Sequence, residues 1–340
     1  MIKLKDVASL ASVSEATASL VMNNRPGVKS ETRERVLEAA MSLGYTPNFI
    51  ARGLAMQKTH TIGLVVTDIE NPFFGTLTRY VDEYVLNRGC NLILSVSNDD
   101  PGLEERIISD FIGKRVDGVI IVPTVSTVRN LLVFEQLISH KIPFVFSTTY
   151  YEEIECEHII SDLEEGAYRL TRYLIELGHR VILFFFASNR EAIPSKLRIK
   201  GYEKALTEAG LKIQADWLIE CRKPDFGCGY SMAQAVVQNK KPDAIITMND
   251  IMALGAKRGV IDLGFKIPED ISIAGYDDVI FSSISEIPLT TVRQDIQEIS
   301  RETVDVLFEK IAGNKPHDRF IKLTPELIVR KSTGVCSRKS

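Results

Sequence analysis

The sequence predicts an α/β protein in two unequal parts: a small helical headpiece at the N-terminus, then a large body of two doubly wound parallel-sheet lobes. Three observations predict it. Apolar residues recur at helical spacing through residues 4–43. From Thr61 they change to short unbroken apolar runs, as in strands buried on both faces, separated by segments of helix length. After Asp162 the same alternation starts again, so a second lobe of the same pattern is implied.

The first helix carries Leu4, Val7, Ala8, Leu10 and Ala11 at helical spacing and breaks at Ser12-Val13-Ser14. Ser14 is suited to cap a second helix, whose inner face is Thr17, Ala18, Val21 and Met22. A third helix is expected from Thr32 to Leu43, with Val36, Leu37, Ala40 and Met41 inward, Arg33 and Arg35 outward, and Gly44 closing it. Two short helices around a tight turn allow the second to enter a DNA major groove while the first braces phosphates. Glu15, Ala16, Ser19 and Leu20 would then face base edges, flanked by Asn23, Asn24 and Arg25. The stretch from Tyr45 to Ala55 begins extended at Pro47, is capped by Asn48, and allows a turn or two of helix before and after Gly53. So short a helix is not stable alone and should order on DNA or on a partner subunit.

In the body, strands are expected at Thr61–Thr67, Asn91–Val96, Val116–Val122 and Pro143–Phe146, with a helix from Phe73 to Asn87. Past His158–Asp162 come a helix to Leu177, a strand from Arg180 to Ala187 and a helix from Leu197 to Ala209. The strand Asp243–Thr247, a helix from Ile251 to Leu263 and the strand Ile271–Gly275 follow. Open α/β sheets bind ligands at the carboxyl ends of their strands. The residues so placed are Asp68, Asn71 to Phe74, Thr148 and Thr149, Asp162, Ser188 to Arg190, Asn249 and Asp250, and Tyr276 to Asp278. Aromatic faces beside Asp, Asn and Arg suit a hydroxyl-rich ring.

The 340 residues, 45% of them hydrophobic, allow two or three domains. No apolar run of about eighteen residues and no signal segment is present, so no membrane association is expected and residence is cytoplasmic. Net charge is −4, but residues 1–58 hold eight Lys/Arg against five Asp/Glu, a local +3 suited to phosphates that leaves −7 for the rest. The five cysteines are scattered, with no C-x-x-C and no His partner at metal-ligand spacing, and are expected as reduced, mostly structural thiols. No metal, cofactor or catalytic residue is indicated. The glycine-rich nucleotide loops and the G-x-S-x-G elbow of hydrolases are absent, so the chain does not read as an enzyme.

These residues resemble the LacI/GalR family of transcriptional regulators from Leu4 to about Thr333. The marks are D-V-A-x-x-A-x-V-S-x-x-T-x-S at Asp6 to Ser19, T-R-E-R-V at Thr32 to Val36, G-Y-x-P-N at Gly44 to Asn48 and A-R-G-L-A at Ala51 to Ala55. In the body they are N-P-F-F at Asn71 to Phe74, V-D-G-V-I-I at Val116 to Ile121, L-G-H at Leu177 to His179, R-x-x-G-Y at Arg198 to Tyr202, N-D-x-M-A-L-G at Asn249 to Gly255 and G-Y-D-D at Gly275 to Asp278. The resemblance implies a helix-turn-helix headpiece on a periplasmic-binding-protein-like core. It implies a homodimer on a near-palindromic operator, with hinge helices in the minor groove and Leu54 wedged into the central base step. With the readings above, the DNA-contacting set is Ser14, Glu15, Ala16, Thr17, Ser19, Leu20, Asn23, Arg25, Asn48, Ala51 and Leu54. An effector between the lobes is implied too, at Phe73, Phe74, Asp162, Arg198, Asn249 and Asp277.

Three positions depart from the family pattern: Leu20 stands where many relatives carry Arg or His, Lys3 replaces a frequent Thr cap, and Thr148 takes a place often held by an acid. The expected limits are 1–46 for the headpiece, 47–60 for the hinge and 61–335 for the core. One lobe would take about 61–161 and 291–322, the other about 162–290 and 323–335. A repressor controlled by a sugar or sugar phosphate is the first reading, with a nucleoside or purine base second and a protein co-regulator third. The alternative class is a solute-binding protein of the same core fold, against which the headpiece weighs. Plainer roles stay open: an interlobe ion pair for Arg198 and Asp277, helix caps for Asp162 and Asn249, and core packing for one of Phe73 and Phe74.

Overall fold

The computed structural model describes residues 2–23, 25–45, 58–126, 131–187, 189–315 and 320–337. Asn24, Pro47, Asn48, Ala51, Gly53, Leu54, Ala55 and Ser188, named above, lie outside the described residues. Two compact units result, Met1–Thr59 and His60–Ser340.

The smaller unit contains α1 (Leu4–Leu10), α2 (Glu15–Met22) and α3 (Ser30–Ser42). The Lys3 amide donates to Asp6 Oδ2 at 2.8 Å and starts α1. Ser12, at φ +53°, reverses the chain, and Ser14 Oγ accepts from the Thr17 amide at 3.1 Å to open α2. Val7, Ala8, Ala11, Ala18, Val21, Val36, Ala39 and Ala40 form the core. Two sequence expectations are corrected here. The third helix begins at Ser30, and its buried stripe is Val36, Ala39 and Ala40, while Leu37 and Met41 are exposed. Residues 39 and 40 follow 36 at i+3 and i+4 and share its face. Ser14→Ala removes the cap, worth about 1 kcal/mol. The expected result is roughly fivefold faster amide exchange in α2, and unchanged exchange would deny the cap that role.

The larger unit holds two six-stranded sheets. The first has strands β1 (Thr61–Val66), β2 (Asn91–Val96), β3 (Gly118–Ile121), β4 (Phe144–Ser147), β5 (His158–Ser161) and β11 (Phe320–Leu323), in the order β11-β5-β4-β3-β1-β2. The second has β6 (Ile182–Ala187), β7 (Leu218–Cys221), β8 (Ala244–Thr247), β9 (Ser272–Asp277), β10 (Thr290–Arg293) and β12 (Glu326–Ile328), ordered β12-β10-β9-β8-β6-β7. All pairs are parallel except β10 with β12, so each lobe is the expected doubly wound sheet. Each central strand is buried on both faces, which is why it reads as an unbroken apolar run.

Helices α4 (Pro72–Leu86), α5 (Pro101–Lys114) and α6 (Leu132–Ser139) belong to the first half, and α7 (Leu163–Glu176), α8 (Ile193–Glu208), α9 (Phe226–Lys240), α10 (Asp250–Asp262) and α11 (Ile280–Ile284) to the second; α12 (Ile296–Ile311) packs back on the first sheet. The helix expected from Leu197 begins at Ile193, because Pro194 sits in its first turn, where no amide partner is needed. Among the described residues the chain passes between the sheets three times: between Ser161 and Leu163, between Arg293 and Ile296, and between Leu323 and Glu326. β10 is therefore still in the second sheet, and the crossing expected near residue 291 falls after Arg293. The expectation of five thiols is corrected as well. Cys221 ends β7, Cys228 lies in the first turn of α9, and the short loop between them brings the two into a disulfide with Cα atoms 6.2 Å apart.

Candidate functional site

Two regions bring the sequence-predicted residues together. At the cap of α2 Ser14 is exposed, and on the helix Glu15, Ala16 and Leu20 are exposed and Thr17 and Ser19 half-buried, opposite the buried Ala18 and Val21. This open face presents a carboxylate, a methyl, a hydroxyl and an isobutyl group. Ser14 Oγ and Thr17 Oγ1 bond each other at 2.8 Å, and Asn23 Nδ2 donates to the Ser19 carbonyl at 2.8 Å, so the polar groups of the helix are held in place. Arg25 is exposed, its carbonyl accepting from Arg33 at 2.7 Å.

The second region lies at the carboxyl ends of the strands, where the lobes meet. A cleft of about 210 Å³ is lined by Thr124 and Val125 past β3, Thr149 to Glu153 past β4, and Asn189, Glu191 to Pro194 and Lys196 around the start of α8. Asn189 Nδ2 donates to the Val125 carbonyl at 3.4 Å, and Lys196 Nζ to Glu152 at 3.1 Å, so polar contacts bridge the lobes across it. Behind its wall, Tyr151 donates to Glu104 at 2.6 Å, and the Thr124 amide donates to the same carboxylate at 3.0 Å, fixing both loops. Asp99, which accepts from the Val125 amide at 2.8 Å, has its carboxyl raised, chiefly by burial.

Arg198 reaches this cleft through Pro194, whose carbonyl accepts from its guanidinium at 3.1 Å. The same guanidinium lies 4.1 Å from the centre of the Tyr276 ring and 3.8 Å from Asp277 Oδ1. Gln294, at the second crossing, donates to Asp277 Oδ1 at 2.7 Å. Arg198, Tyr276, Asp277 and Gln294 are all buried, yet Arg198 Nε, Tyr276 OH and Gln294 Oε1 have no hydrogen-bond partner. Three unsatisfied polar atoms in one buried cluster are costly unless something else bonds them. Burial pushes the Asp277 carboxyl up to about 7, against the pull of Arg198 and the Gln294 hydrogen bond. Asp250 is pushed up to about 8 by burial and by the charge of Asp277, although Val279, Ser282 and Thr291 donate to it.

Of the six residues carried over for an effector, the structure brings Arg198 and Asp277 together. Phe73, buried, meets Phe74 edge-on with ring centres 5.1 Å apart. Asp162 caps α7 through the Glu165 amide at 3.0 Å and pairs with Lys322 at 2.8 Å. Asn249 caps α10 through the Met252 amide and donates to the Pro224 carbonyl, both at 2.8 Å. None of the six lines the cleft directly. Sequence reasoning missed Tyr150, Glu152, Glu191 and Lys196, which do; they sit in a loop and a helix start, where no periodicity marks them.

A trihelical headpiece ahead of a two-lobed core with a polar cleft between its sheets defines a class of ligand-responsive regulators. Residues 3–48 match the bacterial regulatory proteins of the lacI family, and residues 171–333 match the periplasmic binding protein-like domain. The chain is 33% identical to the HTH-type transcriptional repressor PurR of Aliivibrio fischeri over 98% of its own length and 99% of that protein's. It is 32% identical to catabolite control protein A of Priestia megaterium, over 98% and 99%. The Lac repressor dimer bound to operator and the anti-inducer ONPF superposes with a TM-score of 0.86 at 26% identity, covering 98% and 99% of the two chains. The CelR–cellobiose complex gives 0.73 at 28% identity, over 98% and 100%. The chain belongs to the LacI family of bacterial regulatory proteins.

Proposed function

We propose that the protein is a cytoplasmic, homodimeric transcriptional repressor that grips a near-palindromic operator and is controlled by a small molecule held between its lobes. No helix among the described residues is long and apolar enough to cross a membrane. The headpiece corresponds to residues 1–46, the hinge to 47–60 and the core to 61–335. Ser14, Glu15, Ala16, Thr17, Ser19, Leu20, Asn23 and Arg25 contact DNA from the headpiece. Asn48, Ala51 and Leu54 contact it from the hinge, Leu54 as a wedge in the minor groove.

The observation that carries the effector reading is the buried Arg198–Tyr276–Asp277–Gln294 cluster, with three partnerless polar atoms where the lobes join. A forked donor and carboxyl groups match the alternating donors and acceptors of a hydroxyl-rich ring, and Tyr150 in the cleft wall offers an aromatic face. Glu152, Glu153 and Glu191 outnumber Lys196 in the lining, which disfavours a phosphate and points to a neutral sugar. Cellobiose, held by the structural neighbour CelR, is compatible with this class. Effector binding shifts operator affinity by the ratio of its affinities for the two lobe arrangements, tenfold for each roughly 1.4 kcal/mol.

The test is selection of genomic fragments by the full-length protein at low ionic strength, followed by a thermal-shift screen over neutral sugars and sugar phosphates. An operator bound with a steep salt slope, and a sugar that both stabilises the protein and changes operator affinity, are the expected outcomes. Failure to retain any fragment refutes the repressor reading. Leu54→Ala should leave the core's melting unchanged while weakening operator binding at least about tenfold, since it removes the apolar wedge that holds the bent duplex. Unaltered affinity would dismiss the wedge.

A further inference from the structure

We infer that His60, Cys90 and Asp117 form a binding site for a divalent transition-metal ion of the zinc type, at the amino edge of the first sheet. Each residue immediately precedes a strand: His60 before β1, Cys90 before β2 and Asp117 before β3. These three strands are neighbours, in the order β3-β1-β2, so residues distant in the chain are placed side by side. The donor atoms, one imidazole nitrogen, the thiol sulfur and a carboxylate oxygen, all lie within 4.8 Å of one another. Around a tetrahedral zinc ion, with bonds of about 2.0 Å to nitrogen and 2.3 Å to sulfur, such donors stand roughly 3.5 Å apart, so the three would draw together on binding.

The backbone beneath is already fixed. The Asn91 amide donates to the His60 carbonyl at 2.8 Å and the Asp117 amide to the Thr61 carbonyl at 2.8 Å, while the His60 amide donates to Asp117 Oδ2 at 2.9 Å. His60 is held at φ +50°, in the left-handed region that a residue with a side chain adopts at a cost. Its Nε2 is buried and has no hydrogen-bond partner. A buried imidazole nitrogen left so is an unfavourable arrangement that a metal or another ligand would relieve.

The donor set selects the ion. Hard cations take oxygen ligands, whereas an imidazole, a thiolate and one carboxylate match zinc, with water in the fourth position. On binding, the Cys90 sulfur forms its bond to the metal and releases its proton to solvent, so affinity rises with pH. The site lies at the opposite ends of the strands from the interlobe cleft, and its existence does not depend on the effector reading. It would tie the first residue of the larger unit to the starts of β2 and β3.

The test uses full-length protein, stripped of metal and reduced, titrated with cobalt(II) and then zinc. The expected result is one cobalt per chain, with the near-ultraviolet thiolate charge-transfer band and visible ligand-field bands of a tetrahedral site, all bleached by zinc. Cys90→Ser should abolish the charge-transfer band, and His60→Gln should weaken zinc binding at least about tenfold, each with unchanged circular dichroism. The double variant Cys221→Ser/Cys228→Ser should bind as the parent does. If Cys90→Ser does not fold, His60→Gln decides. Absence of cobalt binding, a charge-transfer band that survives Cys90→Ser, or a zinc affinity unchanged in His60→Gln overturns the site; so does loss of the bands in the Cys221/Cys228 double variant.

Discussion

Arg198→Ala is expected to abolish the response to effector and to lower core stability by an amount that grows as pH rises above about 7. The guanidinium is buried between the Tyr276 ring and Asp277, and removing one member of a buried ion pair costs about 3–5 kcal/mol when the other stays charged. Asp277 has an alternative, which is to hold a proton. Burial already raises its carboxyl to about 7, with Arg198 the main opposing influence, so loss of Arg198 raises it further. An unfolded Asp ionises near about 3.9, so between that value and the folded one the native state holds the extra proton. Stability then falls with rising pH by about 1.36 kcal/mol per unit for this group. In the parent protein the decline due to Asp277 ends near 7; in the variant it continues to the higher value.

The two stability curves should therefore run parallel below about pH 7 and separate above it. Urea denaturation at about pH 6 and about pH 9 measures this, and a constant gap would show that Arg198 does not govern the charge on Asp277. Adding Asp277→Asn should close the pH-dependent part of the gap. Asp250, raised to about 8 by burial and by the charge of Asp277, contributes a second decline to both proteins; because Asp277 stays protonated to higher pH in the variant, this decline differs between the two, and Asp277→Asn in both backgrounds makes it common to them.

The parts of the molecule that were legible in the sequence are those whose environment is uniform. β1, β3, β4, β6, β8 and β9 are covered on both faces, and few structures besides a doubly covered strand produce so short an unbroken apolar run. β11 and β12 are sheet-edge strands with mixed exposure, and Phe-Ile-Lys-Leu has no more signal than a loop. α9 escaped because its buried face is Gly229, Ala233 and Val237, residues too small to produce an amphipathic stripe. Its disulfide escaped with it, since only the turn from β7 into α9 brings Cys221 to Cys228. At the site, Asp162 and Asn249 show the limit of reading polar residues past strand ends: a helix cap and a ligand-binding group use the same side chains in the same place. Arg198 and Asp277 are far apart in the chain, and only the motifs R-x-x-G-Y and G-Y-D-D singled them out together.

The motif N-D-x-M-A-L-G ends in a glycine whose role is packing, and Gly255→Ala is expected to damage the fold heavily for a single added methyl. A Cβ at Gly255 would come within 2.0 Å of the Phe226 carbonyl oxygen, and one at Gly229 within 2.0 Å of that of Met252. α9 and α10 thus cross backbone to backbone, each glycine admitting the other helix. Inside a helix glycine is about 1 kcal/mol less favourable than alanine, so propensity alone would make the change stabilising. The clash is with main chain, which cannot rotate aside, and separating the helices would open the interface lined by Ala233, Val237, Met252, Ala256 and Val260. Overpacking of this kind costs about 1–3 kcal/mol even where side chains can yield, and the net loss expected is about 2 kcal/mol or more. The same movement would shift Asn249 and Asp250 at the start of α10, and with them the bonds to Pro224, Val279, Ser282 and Thr291. Effector affinity should therefore fall together with stability. Gly113→Ala is the control: near the end of α5, with nothing within 4 Å of the new Cβ, it should stabilise by about 0.5–1 kcal/mol. Urea midpoints for the two variants, taken with an unchanged slope, decide the matter, and a Gly255→Ala protein as stable as the Gly113→Ala one would mean that the helices do not approach so closely.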